Sequence, residues 1–200
     1  MSSLASVQNL TLGSHPPSRH TLARLIRAWI PAVCWMIIIA FESTSVFTSD
    51  HTQHWTYTIL RALFGVKVAS HAYMINAVGR KLGHFTGYGI LGGLSFYAWT
   101  EVLAYRAEVY WEKLGKARIV VRRWHLRAAV LAVLTTFLVA SLDEFHQGFV
   151  PGRGSAFHDV ILDTMGGVFV QIVIFLVWDA WRKNSENSTT VLQGVPTHSR

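Results

Sequence analysis

Charge is what this chain has little of. Asp, Glu, Lys and Arg make up 14% of its 200 residues, while 51% are hydrophobic. A soluble domain carries roughly a quarter charged residues, so the balance argues against a water-soluble globule and for a membrane protein. The mean hydropathy of +0.31 points the same way. Cysteine is nearly absent. Cys34 stands alone, which excludes an intrachain disulfide, and its apolar surroundings read it as a small apolar filler. Acidic residues are also few, 11 against 18 Lys and Arg, for a formal charge of +7. That excess does not point to nucleic acid. The basic residues cluster between apolar segments rather than on one face interleaved with aromatics.

What is present is a series of apolar segments, each near the about 20 residues that hydrocarbon thickness requires. They run over 28–47, 82–103, 126–148 and 159–181. Pro31 falls in the first turn of the first segment, where a missing N–H is tolerated. The expected fold class is all-α, an integral membrane bundle of four transmembrane helices. Residues 1–24 are expected to form a disordered leader, 25–183 the membrane domain and 184–200 a disordered tail. The long leader, with no small-x-small site, argues against a signal peptide.

Lys and Arg placement sets the expected orientation. Arg106, Lys113, Lys116, Arg118, Arg122, Arg123 and Arg127 lie between the second and third segments. Arg19, Arg24 and Arg27 precede the first, and Arg182 and Lys183 follow the last. Both termini are therefore expected in the cytoplasm. In the long first outer loop, Trp55, Ile59, Leu63 and Phe64 recur at helical spacing. This predicts an amphipathic interfacial or re-entrant helix.

With that orientation the unusual polar residues converge on the outer side. Glu42 and Ser43 end the first segment, and Lys81 and His84 begin the second. Asp143, Glu144 and Gln147 end the third, Arg153 lies in the next loop, and Asp159 and Asp163 begin the fourth. A charge at a span centre costs roughly 2.5–3.5 kcal/mol, so such groups mark binding or catalysis. Lys81, His84 and Tyr88 share one helix face, as do Asp143 and Gln147, and Asp159 and Asp163. Glu144 sits about 100° around from Asp143. Pro151-Gly152-Arg153-Gly154 signals a tight turn. It presents a guanidinium suited to two-pronged contact with carboxylate or phosphate. Asp159 also suits a helix N-terminus. The bland alternatives are snorkelling anchors, a helix-end ion-pair network and capping. Gly83, Gly87, Gly89, Gly92 and Gly93 on the second segment, and Gly166 and Gly167 on the fourth, favour close helix approach.

These motifs together resemble the VanZ-like family of small membrane proteins. The match comprises Lys81-x-x-His84-Phe85-x-x-Tyr88, then Asp143-Glu144-x-x-Gln147-x-x-x-Pro151-Gly152-Arg153, then Asp159-x-x-x-Asp163-x-x-Gly166-Gly167. It covers about residues 28–182. The family's founding member is associated with resistance to the glycopeptide teicoplanin. The resemblance therefore implies a membrane protein with an envelope or resistance role. The family usually has Asn where this chain has Asp163. A fainter similarity concerns lipid phosphatases, whose Ser-Arg-x5-His-x3-Asp pattern is matched in spacing by Gly152-Arg153-x5-Asp159-x3-Asp163. Asp replaces the nucleophilic His there, and no second phosphatase block follows.

The leading expectation is an outward-facing polar pocket that binds an anionic envelope or lipid headgroup, in a bacterial plasma membrane. Its ligand-binding candidates are Lys81, His84, Tyr88, Asp143, Glu144, Gln147, Arg153, Asp159 and Asp163. Expected partners are membrane lipids, the anionic headgroup or precursor, and a second copy in a homo-oligomer. An enzyme acting on a lipid phosphate is the first alternative, with Asp159, His84 and Glu144 as catalytic candidates. Mg2+ among Asp143, Asp159 and Asp163 would suit it, although no metal motif is present and no cofactor is indicated. A small proton-coupled carrier is the second alternative. Polar groups confined to one end offer it no path through the membrane.

Overall fold

The computed structural model describes residues 19–44, 49–114, 121–151 and 155–193, and their regular structure is helical throughout. In chain order the helices are α1 (Arg19–Glu42), α2 (Ser49–Phe64), α3 (Val66–Ala69), α4 (Ala72–Leu114), α5 (Val121–Gln147) and α6 (Phe157–Gln193). Among the described residues, three stretches are long and apolar enough to cross a membrane: Leu22–Glu42, His125–Gln147 and Phe157–Asn184. The chain is an all-α integral membrane bundle.

The expected second span, 82–103, lies within α4 but is not among those three. Its glycines, together with Tyr88, Tyr97 and Glu101, dilute its hydropathy. The packing explains why. α4 is the hub, in contact with α1, α5 and α6, and it buries Tyr88, Leu91, Ser95 and Ala98. Where α4 meets these neighbours small size matters more than apolarity, while Leu82, Ile90 and Tyr97 on its other faces stay exposed.

Contacts at the two ends fix the directions. The end of α1 meets the end of α5 through Ser43 and Asp143. His84, early in α4, faces Asp163, early in α6. At the opposite end Arg24 of α1 pairs with Glu101 of α4. There His125 of α5 packs between Phe96 and Trp178. So α1 and α5 run one way, and α4 and α6 the other.

Several boundaries differ from expectation. α1 starts at Arg19, inside the expected leader, and α6 continues to Gln193, beyond the expected domain end. Pro31 is therefore inside α1, not in its first turn. It takes one N–H from the ladder of a helix that neighbouring packing supports. Residues 72–80, expected in the outer loop, are the first turns of α4. At 43 residues α4 is about 65 Å long, so it overreaches a hydrocarbon core of about 30 Å. α2 folds back on this extension, and Thr56 donates to Asn76 at 3.4 Å. The reversal runs through Gly65, whose φ of 82° favours glycine. α2 is the helix expected in this loop, and its Trp55, Ile59, Leu63 and Phe64 are exposed. Cys34 is exposed on α1, so it fills no core space.

The seam between α4 and α6 is backbone against backbone. A Cβ on Gly92 would lie 2.9 Å from Gly167 Cα, and one on Gly166 would strike the Phe85 carbonyl. Gly167 in turn receives Thr136 of α5. Gly83 and Gly87 take no part in this. A Cβ on either meets nothing within 4 Å, which corrects their expected packing role. Polar groups also run deeper than one end. Ser95, Thr136 and Gln171 are buried in the middle of the bundle, and Gln171 donates to the Gly92 carbonyl at 3.0 Å.

Candidate functional site

A cavity of about 290 Å³ opens at the end where α4 and α6 begin and α5 finishes. Gln53 of α2 contributes to it, as do Tyr73, Asn76, Ala77, Arg80, Lys81 and His84 of α4. Glu144 and Gln147 come from α5, and Asp159, Leu162 and Asp163 from α6. The α4 residues recur every three or four positions, which places them on one helix face. α4 thus supplies the cations and α5 and α6 the carboxylates.

The carboxylates are anchored one by one. Asp143 is buried, and it accepts from the Ser43 hydroxyl and from Gln147 Nε2, the latter at 2.8 Å. Gln147 lies one turn after Asp143, so the pair forms along α5 itself. Glu144 accepts from the Ala156 backbone N–H. That N–H immediately precedes α6, where donors lack helical partners and negative charge is favoured. Asp159 sits in the first turn of α6, 3.2 Å from His158 Nε2. Asp163, one turn deeper, is 2% exposed. Its Oδ2 lies 3.4 Å from His84 Nδ1. The His84 ring stacks against Tyr88, centroids 6.3 Å apart.

Two buried atoms here, Tyr88 Oη and Asp163 Oδ1, have no hydrogen-bond partner among the described residues. An unsatisfied buried polar atom costs about 1–3 kcal/mol; Ser95 Oγ and Gln171 Oε1, deeper in the bundle, share this condition, so it does not by itself set the cavity apart. Among the described residues no group of three or more His, Cys, Asp or Glu is arranged to hold a metal ion. The carboxylates are instead spread among separate protein partners.

Of the residues singled out from sequence, Lys81, His84, Glu144, Gln147, Asp159 and Asp163 line the cavity together. Asp143 and Tyr88 are buried beside it without lining it. Arg153 lies outside the described residues. Sequence reasoning missed Gln53, Tyr73, Asn76 and Arg80. The signal was the helical recurrence of Tyr73, Asn76, Arg80 and His84, hidden by starting the span at Leu82. Ser43 was noted as a helix-end residue, but its partnership with Asp143 spans helices and leaves no local pattern.

A family model described as VanZ/LLP1 matches residues 28–179. The chain belongs to the VanZ/LLP1 family. No curated protein and no solved structure matches it. The matched region starts in α1 and ends in α6, so it contains every residue that lines the cavity.

Proposed function

We propose that this VanZ-like protein crosses the membrane four times, on α1, α4, α5 and α6, with both termini cytoplasmic. Its cavity then faces outward and binds the anionic headgroup of an envelope component or lipid. The opposed helix directions support four crossings. Arg24, Arg27, Arg106, Arg127, Arg182 and Lys183 belong to the helix ends away from the cavity, which supports the orientation. One observation carries the binding reading: Arg80 and Lys81 share a cavity with Glu144, Asp159 and Asp163. The cationic wall suits phosphate or carboxylate. The acidic wall accepts hydrogen bonds from hydroxyl or amine groups on the same ligand. Arg153 in the α5–α6 connection would add a two-pronged anion contact. Membership of the VanZ/LLP1 family supports an envelope role in a bacterial plasma membrane, including altered susceptibility to teicoplanin.

The test is lipid binding by the purified protein in phosphatidylcholine nanodiscs, with phosphatidic acid as the anionic probe. Lys81→Ala should weaken that binding about tenfold, or about 1.4 kcal/mol. No preference for phosphatidic acid over phosphatidylcholine would end the headgroup reading. Orientation is tested by labelling Ser155→Cys and Lys116→Cys from outside intact cells. A Cys34→Ala background is needed, because Cys34 is exposed. Labelling at position 116 and not at 155 would reverse the topology.

One contact favours a second reading, hydrolysis or phosphoryl transfer on a lipid phosphate. A buried Asp163 beside His84 Nδ1 at 3.4 Å is how an imidazole is oriented for proton transfer, with Nε2 left to the substrate. Asp159 is the candidate nucleophile. Under the binding reading Asp159→Asn keeps the fold and most lipid affinity, because amide and carboxylate both suit a helix start. Phosphate release by wild type that disappears in Asp159→Asn, with affinity retained, would establish the enzyme.

A further inference from the structure

A second cavity, of about 360 Å³, opens between α1, α2 and α4. Along α4 its wall runs from Arg80 through Gly83, His84 and Gly87 to Ile90, and Trp35 of α1 closes its inner side. This cavity shares Arg80 and His84 with the polar cavity. Those two side chains therefore border both spaces. The α4 wall from residue 80 to residue 90 covers about 15 Å. It starts beside the polar site and descends toward the middle of the bundle.

Two glycines of this wall have no packing explanation inside the protein. Glycine in a helix costs roughly 1 kcal/mol relative to alanine. At Gly89 and Gly92 close contact with α6 accounts for it, but at Gly83 and Gly87 a Cβ would meet nothing within 4 Å. Their bare backbone keeps the groove open. Trp35 Nε1 donates to the Gly87 carbonyl at 2.7 Å, which fixes the indole across the groove's inner end. The result is a slot lined by Trp35, Gly83, Gly87 and Ile90, with Thr86 beside them, and by Glu42, Thr52, Arg80 and His84, the last two shared with the charged cavity.

We propose that this groove seats the hydrocarbon chain of a membrane lipid whose anionic headgroup occupies the polar cavity, the lipid entering sideways between α1 and α4. The proposal rests on the headgroup reading above and narrows its ligand to a lipid-linked anion. Arg80 and His84, common to both spaces, face the region where headgroup and chain join. A free anion would need the polar cavity alone and would leave the glycine groove without a use.

The experiment uses the full chain in phosphatidylcholine nanodiscs, with long-chain phosphatidic acid and glycerol 3-phosphate as probes. The variants are Gly87→Leu, which fills the groove, and Gly79→Leu as a control. Gly79 is equally open but lines neither cavity. Gly87→Leu should weaken phosphatidic acid binding by at least about tenfold, as loss of chain burial requires, while Gly79→Leu leaves it unchanged. Glycerol 3-phosphate should bind far more weakly than the lipid and be indifferent to Gly87→Leu. Equal binding of the two probes, or wild-type lipid binding by Gly87→Leu, overturns the groove and leaves the headgroup reading standing. Binding of neither probe overturns both. Should Gly87→Leu fail to fold, brominated-chain phosphatidic acid replaces it. The lipid should quench wild-type fluorescence more than that of Trp35→Phe, whereas brominated phosphatidylcholine should not distinguish them. Equal quenching of both proteins by the brominated phosphatidic acid overturns the proposal.

Discussion

At the cavity end of the bundle, Asp143, Glu144, Gln147 and Asp163 are buried; Asp143, Glu144 and Asp163 have partners on another helix or loop, and Gln147 bonds to Asp143 along α5. At the far end, Arg24 meets Glu101, and Arg182 and Lys183 meet Asp179, all on accessible side chains. Aromatics dominate there. Trp29 and Trp99 pack edge to face at 5.3 Å, and His125 lies against Trp178 at 5.1 Å. Tryptophans and snorkelling basic residues suit a membrane–water boundary. Both ends carry charge, so charge alone does not mark a site. What separates them is burial together with partners on a different helix.

The largest effect should come from the seam that brings the cavity walls together. Gly166→Leu would drive a side chain into the Phe85 carbonyl and force α4 away from α6. His84 and Asp163 would separate with them. Ordinary overpacking costs about 1–3 kcal/mol, and a clash with backbone gives less room to relax. Fluorescence-detected size-exclusion chromatography should show loss of the monodisperse peak. An unchanged peak and melting temperature would mean that the seam does not hold this end together.

Asp143 comes next. Asp143→Leu strands the Gln147 amide in a buried setting, at about 1–3 kcal/mol for an unsatisfied group, and leaves the Ser43 hydroxyl only the Ile39 carbonyl, 3.0 Å away, as acceptor. Asp143→Asn retains an acceptor and should recover part of that loss. Thermal unfolding in detergent reads the difference. Equal melting of Asp143→Leu and wild type would place Asp143 on the same footing as the far-end charges.

The sequence made this end of the molecule legible to an uneven degree. Asp143 with Gln147 and Asp159 with Asp163 are intrahelical spacings, so periodicity exposed them. Gly166 and Gly167 announced close contact correctly because small residues have few other uses in a span. Gly83 and Gly87 carried the same local signal without that contact, since sequence does not say which face a neighbour covers. α4 was hardest. Its extent before Leu82 was masked by polar residues that line the cavity, and its low hydropathy reflects the glycines and polar residues it presents to three neighbouring helices, a tertiary fact. Ser43 and Ala156 became partners of Asp143 and Glu144 only when separate helices met.

The smallest effect sharpens the comparison most. Arg24 and Glu101 are 2.8 Å apart, with side chains 47% and 27% exposed. Exposed ion pairs typically couple by about 0.2–1 kcal/mol. A double-mutant cycle of Arg24→Ala and Glu101→Ala, read by thermal unfolding at low salt, should fall in that range and shrink as salt is added. The Ser43→Ala and Asp143→Ala cycle should give a larger coupling that salt hardly changes, because that contact is buried. If the far-end pair couples as strongly as Ser43 with Asp143, and resists salt equally, burial is not what distinguishes the two ends. The case for a dedicated site would then rest on the cavity alone.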